Sequence, residues 1–192
     1  LPKVFDDRNS KYPQHKGKPK ASYSQLTSYE DPQYQGDYYV QYFLGINLGG
    51  NDFSLFGNKI GDYISHFAEG KDTFEFMDVL SEDDVKFIHQ MVSFPENCVY
   101  EDEICADFGD FVLEGYIDRA HYAEGVVNIR DFKTLNLDKK ADYYASPEYR
   151  QTTLYSCVKE QEGFKIGVSD VLGLGRKGTT IGGDGNWRMR LS

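Results

Sequence analysis

The chain has 192 residues, 21 basic and 31 acidic, for a formal net charge of −10. That length suffices for one substantial domain with a real core. The acidity argues against a general nucleic-acid coat, which is normally basic, but does not exclude a nuclease.

No apolar run approaches the ~20 residues of a membrane helix, and no basic-then-apolar signal segment opens the chain. Leu1 is not an initiator, so the numbering is expected to start inside a longer chain or after a tag. The three cysteines, Cys98, Cys105 and Cys157, have no C-x-x-C spacing and read as reduced thiols. A cytoplasmic location is expected, host cytoplasm if the protein is phage-encoded.

Residues 1–21 read as a flexible basic arm holding Lys3, Arg8, Lys11, His15, Lys16, Lys18 and Lys20. Residues 22–192 read as a single domain. A helix starts at Ser22-Tyr-Ser24, with either serine as N-cap, and stops at Pro32. Residues 34–44 carry aromatics near helical spacing, a stripe expected in the core or at an interface. Asn47 to Asn51 is a glycine-containing turn. A helix over 56–69 presents Ile60, Ile64 and Phe67 on one side. Another over 81–91 opens with Ser81 and Asp84, close to a capping box.

From Val99 the apolar period changes to two. Strands are predicted over 99–106, 111–119 and 126–132, with turns at Gly109-Asp110 and Glu124-Gly125. A charged loop or lid covers 137–145. Pro147 opens a helix to Glu160, with Leu154, Tyr155 and Val158 inward. A strand follows over 164–174, then a glycine-rich turn over 175–186. A last strand over 187–191 sets Trp187, Met189 and Leu191 against Arg188 and Arg190; with Arg176 and Lys177 these arginines make a second basic cluster. The order implies an α/β (α+β) fold with a central mixed β-sheet flanked by helices.

The chemistry concentrates in two runs, Glu114-Gly-Tyr-Ile-Asp118 and Ile129-Arg-Asp131-Phe-Lys133-Thr134. Residues i and i+2 of a strand share a face, so Asp131 and Lys133 project together and Phe132 points the other way. A hairpin brings Asp118 onto the neighbouring strand. Acids among apolar residues are costly unless paired or bound to a cation. Two carboxylates beside an ammonium suit a divalent metal and a polarised water. A D-x-K alone, a common tripeptide, reads as an edge ion pair; here a G-x-x-D strand precedes it. Gln151 and Tyr155, four apart on one helical face, could orient a phosphate, a water or the lysine.

In order and spacing, G-x-x-D, D-F-K-T and Q-x-x-x-Y resemble the PD-(D/E)XK nuclease superfamily, in particular its RecB-like and Cas4-like branch with many phage exonucleases. The serine-led and aromatic helices at 22–44 and the Phe56-Gly57 helix are similar to that branch as well. The resemblance implies a restriction-endonuclease-like core. It implies that Asp118, Asp131 and the Phe132 main-chain carbonyl hold one or two Mg²⁺ or Mn²⁺ ions. Lys133 would position the attacking water and stabilise developing charge, and Gln151 and Tyr155 would support the lysine or the phosphate.

Two departures matter. Gly61 stands where the branch often has a metal-binding histidine, so Asp62, His66 or Glu69 is expected to substitute, with His66 and Glu69 on one face. The cysteine set of an iron–sulfur cluster is absent, so no cluster is expected. The resulting reading is a metal-dependent DNA nuclease, an exonuclease in recombination, repair or phage DNA processing. It would act on DNA, off the membrane, alone or as an oligomer, with or without a recombination or single-strand-binding partner. The alternative is an inactive nuclease-fold module for nucleic-acid binding or assembly. A carbohydrate-active protein using paired carboxylates is a weaker third, because it leaves Lys133 unexplained.

Overall fold

The structure is a computed structural model and describes residues 17–46, 48–49, 52–136, 147–181 and 187–191. Most of the expected basic arm, part of the 47–51 turn, residues 182–186 and the 137–145 loop lie outside the described residues. So do the side chains of Arg176, Lys177, Arg188 and Arg190. The chain divides into two units, Leu1–Gly49 with Glu103–Tyr116, and Gly50–Asp102 with Ile117–Ser192.

In the first unit, β1 (Lys20–Ala21) pairs in parallel with the start of β3 (Val112–Ala123), Lys20 against Val112. Ser22 caps α1 (Tyr23–Glu30) with a full capping box: its hydroxyl accepts from the Gln25 N–H and the Gln25 amide oxygen accepts from the Ser22 N–H. The aromatic stripe continues through α2 (Gln35–Tyr38) and a π-helical turn, Tyr39–Phe43. Its rings pack on one another, Tyr29 on Tyr38 at 5.4 Å and Tyr39 on Phe43 at 5.0 Å. None of these helical residues is buried. The stripe is therefore a surface feature rather than core.

In the second unit, α3 (Asp52–Ala68) buries Phe56, Ile60, Tyr63 and Ile64. Phe67, expected inward with them, is 42% exposed. It lies in the last turn, where its ring stacks on Tyr63 and meets His89 and Phe94 edge-on. A 3₁₀ turn at Phe74–Asp78 leads to α4 (Glu82–Met91). Next come β2 (Cys98–Asp107), β3, β4 (Val126–Asn136), α5 (Pro147–Gln161), β5 (Lys165–Ile181) and β6 (Trp187–Leu191). β2 and β4 both pair with β3. β3–β4 and β5–β6 are antiparallel. β4–β5 is parallel, and α5 is the crossover that a parallel pair requires. The class is α+β, a mixed sheet with helices, as the order of elements implies.

The predicted 175–186 turn is a correction. β5 runs on to Ile181, because β4 pairs with it through Arg176 on one side and β6 pairs with it from Arg176 on the other. Paired neighbours override the weak strand preference of glycine. Gly173 has a specific reason in that strand: a Cβ there would run into the Leu135 side chain.

Asp84 ties helix to sheet. It is 1% exposed. Its Oδ2 accepts from the Ser81 N–H (2.8 Å) and hydroxyl (2.7 Å), and its Oδ1 accepts from the Leu191 N–H at 2.8 Å. Asp84→Ala removes the N3 half of the capping box and orphans the Ser81 and Leu191 N–H groups, and should lower unfolding free energy by about 2–3 kcal/mol. Chemical denaturation measures this; a change within about 0.5 kcal/mol, the usual range for a neutral surface substitution, would mean that the tie carries no stability.

Candidate active site

The β3–β4 hairpin turns through Glu124 and Gly125, at φ 50° and 77°. Two consecutive left-handed residues match the right-handed twist of the strands. Pairs then run from Ala123↔Val126 to Arg119↔Arg130. Carried one step further, this register sets Asp118 opposite Asp131. Opposite side chains on antiparallel strands begin about 5 Å apart, so the hairpin brings two carboxylates together.

At that step a side chain takes over from the main-chain ladder. The Phe132 N–H donates to Asp118 Oδ2 at 2.7 Å. Asp131 is 2% exposed, and its two oxygens lie 3.2 and 2.9 Å from Lys133 Nζ. Phe132 packs on the core cluster of α3 and α4. The alternation expected from D-F-K is therefore present. Burial raises the Asp118 carboxyl above its ordinary range, opposed by the Lys133 charge and the Phe132 N–H.

A cleft of about 480 Å³ opens beside Asp118, Phe132 and Lys133, while the buried Asp131 lies behind Lys133 and off the cleft lining. Asp118, Phe132, Lys133 and Thr134 line it from the hairpin, Glu101 from β2, and Ser54, Gly57, Asn58, Gly61 and Asp62 from α3. The α3 residues recur three or four apart, so one polar, small-residue face looks into the cleft while the apolar face is buried. Gly57 is a close-approach position: a Cβ there would lie 3.1 Å from Thr134 Oγ1. A Cβ at Gly61 would meet nothing within 4 Å. The position where the sequence resemblance leads one to seek a histidine faces open space.

His66 does not line the cleft. Its Nδ1 lies 3.3 Å from the Asp72 carbonyl oxygen and 3.7 Å from the Glu75 carboxylate. Glu69 pairs with Lys71 and is also outside the lining. Gln151 Nε2 donates to the Tyr155 hydroxyl at 3.2 Å, and Tyr155 is buried in α5. That pair too stands outside the cleft lining.

Glu101 escaped the sequence reading. It lies inside Tyr100-Glu-Asp-Glu103, where three consecutive acids read as a solvated edge. Its backbone is left-handed, φ 51°, which nothing in the sequence signals for a glutamate. Partial desolvation, then the Asp118, Asp62 and Glu69 carboxylates, push its carboxyl up to about 7.

These donors fit a hard divalent cation. All are oxygens, which suit Mg²⁺ or Mn²⁺, and the carboxylate repulsion that adds to desolvation at Glu101 is what such a charge relieves. Among the described residues no three His, Cys, Asp or Glu side chains form a closed cage. Mg²⁺ ordinarily uses one or two carboxylates, its waters and a substrate phosphate instead.

The family model described as the PD-(D/E)XK nuclease superfamily matches residues 60–177. The matched span holds Asp62, Glu101, Asp118, Asp131, Lys133, Gln151 and Tyr155. No curated protein matches the chain.

The raised carboxyl of Glu101 has a pH consequence. A folded-state value of about 7 against 4.5 for the free group means a contribution present below about 4.5 and lost as pH rises through 7. Metal-free protein should lose melting temperature between pH 5 and 7.5, and Glu101→Gln should lose less. Calorimetric scans with EDTA test this; parallel curves for the two proteins would contradict it.

Proposed function

The chain belongs to the PD-(D/E)XK nuclease superfamily, and on that premise we propose that it is an Mg²⁺- or Mn²⁺-dependent deoxyribonuclease of the RecB-like and Cas4-like branch. Superfamily members typically hydrolyse phosphodiester bonds of nucleic acids and generally use divalent metal ions. The observation that carries the finer reading is Asp131 with Lys133 on one face, opposite Asp118, beside a cleft.

Each residue has work to do there. Asp118, Asp131 and the Phe132 carbonyl would hold the cation, and Glu101 is added to that set. A bound divalent ion supplies charge neutralisation at the phosphate and acidifies water. Lys133, fixed by Asp131, offers its remaining N–H bonds to the attacking water and to a phosphate oxygen as negative charge grows. Gln151 and Tyr155 support the lysine or the phosphate through β4, onto which α5 packs. Processing of DNA ends in recombination, repair or phage replication is the proposed role, with exonuclease action on linear DNA. The 192 residues contain no G-x-x-x-x-G-K-[ST] run. Among the described residues no helix is long and apolar enough to cross a membrane.

The bare Gly61 position favours one second reading, an inactive nuclease-fold module that binds DNA. The carboxylates and Lys133 weigh against it.

Linear and circular DNA, single- and double-stranded, incubated with Mg²⁺, Mn²⁺ or EDTA separate these. Metal-dependent loss of linear DNA is expected, with circular DNA intact. Asp131→Ala and Lys133→Ala should each slow cleavage by about 100-fold or more. Full cleavage by both variants would remove the proposed site. Binding without cleavage of any substrate would establish the inactive module.

A further inference from the structure

A buried lysine far along the chain from the D-F-K motif holds the strand that carries Glu101. Lys159, in the last turns of α5, is 4% exposed. Its Nζ lies 3.0 Å from Asp102 Oδ2 and 3.0 Å from Glu162 Oε2. The Tyr122 hydroxyl donates to the same Asp102 oxygen at 2.5 Å. The ammonium also sits 5.6 Å from the Tyr122 ring centroid. Burial alone favours the neutral amine, but the Tyr122, Asp102 and Glu162 bonds hold the lysine charged and above its usual range.

Asp102 is the residue after Glu101. A left-handed conformation costs a non-glycine residue on the order of 1–2 kcal/mol, and such a residue persists only where its surroundings over-determine it. The pinned carboxylate of Asp102 supplies that determination from one side of the strand. On the other side the kink sends Glu101 into the cleft. A single buried cation thus joins the end of α5, β2 and β3 at the one backbone step that delivers the acid.

We propose that Lys159, acting through Asp102 and Tyr122, is a positioning residue for Glu101 and thereby for divalent cation binding in the cleft. This rests on reading the cleft as a metal-dependent site. Lys159 touches no reacting atom. Its effect is to keep Glu101 aimed before the cation arrives, so that binding does not have to order the strand. Loss of such an outer support typically weakens metal binding 10- to 100-fold.

The test is Mn²⁺ binding to the full chain, followed by titration calorimetry and by the electron paramagnetic resonance of free Mn²⁺. The proteins are wild type, Lys159→Met, Lys159→Arg, Glu101→Gln and the Lys159→Met/Glu101→Gln double variant, each first checked for a cooperative melt. Lys159→Met should bind Mn²⁺ at least about 10-fold more weakly, with much of the loss restored in Lys159→Arg. In the Glu101→Gln background, Lys159→Met should add little, because the two changes act on one group. Wild-type affinity in Lys159→Met, or a full additional loss in the double variant, overturns the proposal. Should Lys159→Met not fold, Asp102→Asn, which keeps the shape and removes the charge, takes its place with the same expected losses and the same overturning results. Wild-type protein that binds Mn²⁺ but cleaves no DNA would sink the nuclease reading and leave this one standing.

Discussion

Two carboxylates set opposite one another on antiparallel strands repel, and this is the constraint around which the site is arranged. The hairpin register, which pairs Arg119 with Arg130, carries Asp118 and Asp131 towards one another. The chain meets the cost with two groups of its own. Lys133 pairs with Asp131, and the Phe132 N–H bonds to Asp118. Both come from the strand that carries Asp131, so the short D-F-K run supplies an acid, a cation and a donor together. Burial raises the Asp118 carboxyl against the pull of Lys133 and the Phe132 N–H, and at Glu101 desolvation is joined by the Asp118, Asp62 and Glu69 carboxylates.

The rest of the second unit serves this arrangement. α3 buries its apolar face in the core and lays a face of small and polar residues along the cleft. Gly57 permits that approach, since any side chain there would press on Thr134. α5 makes the parallel β4–β5 pair possible and packs on both strands. The same helix carries the Gln151–Tyr155 pair near its start and Lys159 near its end. Stability and site geometry therefore share elements: what holds the crossover in place also bears on where the acids point.

Much of this was legible in the sequence, for local reasons. Period-two patterning, the Glu124-Gly125 turn and the position of Asp118 and Asp131 within their runs fix the hairpin register, and alternation alone puts Asp131 beside Lys133. Ser81 and Asp84 announce their capping box by spacing. The misses have non-local causes. Residues 175–181 look like a turn by composition and become strand through pairing with β4 and β6. Phe67 has the spacing of a core residue but, in the last turn of α3, is only partly covered by Tyr63, His89 and Phe94. Glu101 is the largest omission. Its left-handed step precedes Asp102, whose carboxylate is held by Lys159 and Tyr122, residues distant in sequence, and no propensity encodes it. The expectation that His66 or Glu69 fills the place of Gly61 came from sequence proximity on a helix; α3 turns Gly61 and Asp62 to the cleft and leaves those two off its lining.

The most direct measurement is the anomalous scattering of Mn²⁺ in crystals of the protein soaked or grown with that ion. A peak within coordination distance, about 2.0–2.6 Å, of carboxylate oxygens from both Asp118 and Asp131 is expected. A well-occupied peak elsewhere on the molecule, with these two carboxylates bare, would contradict it.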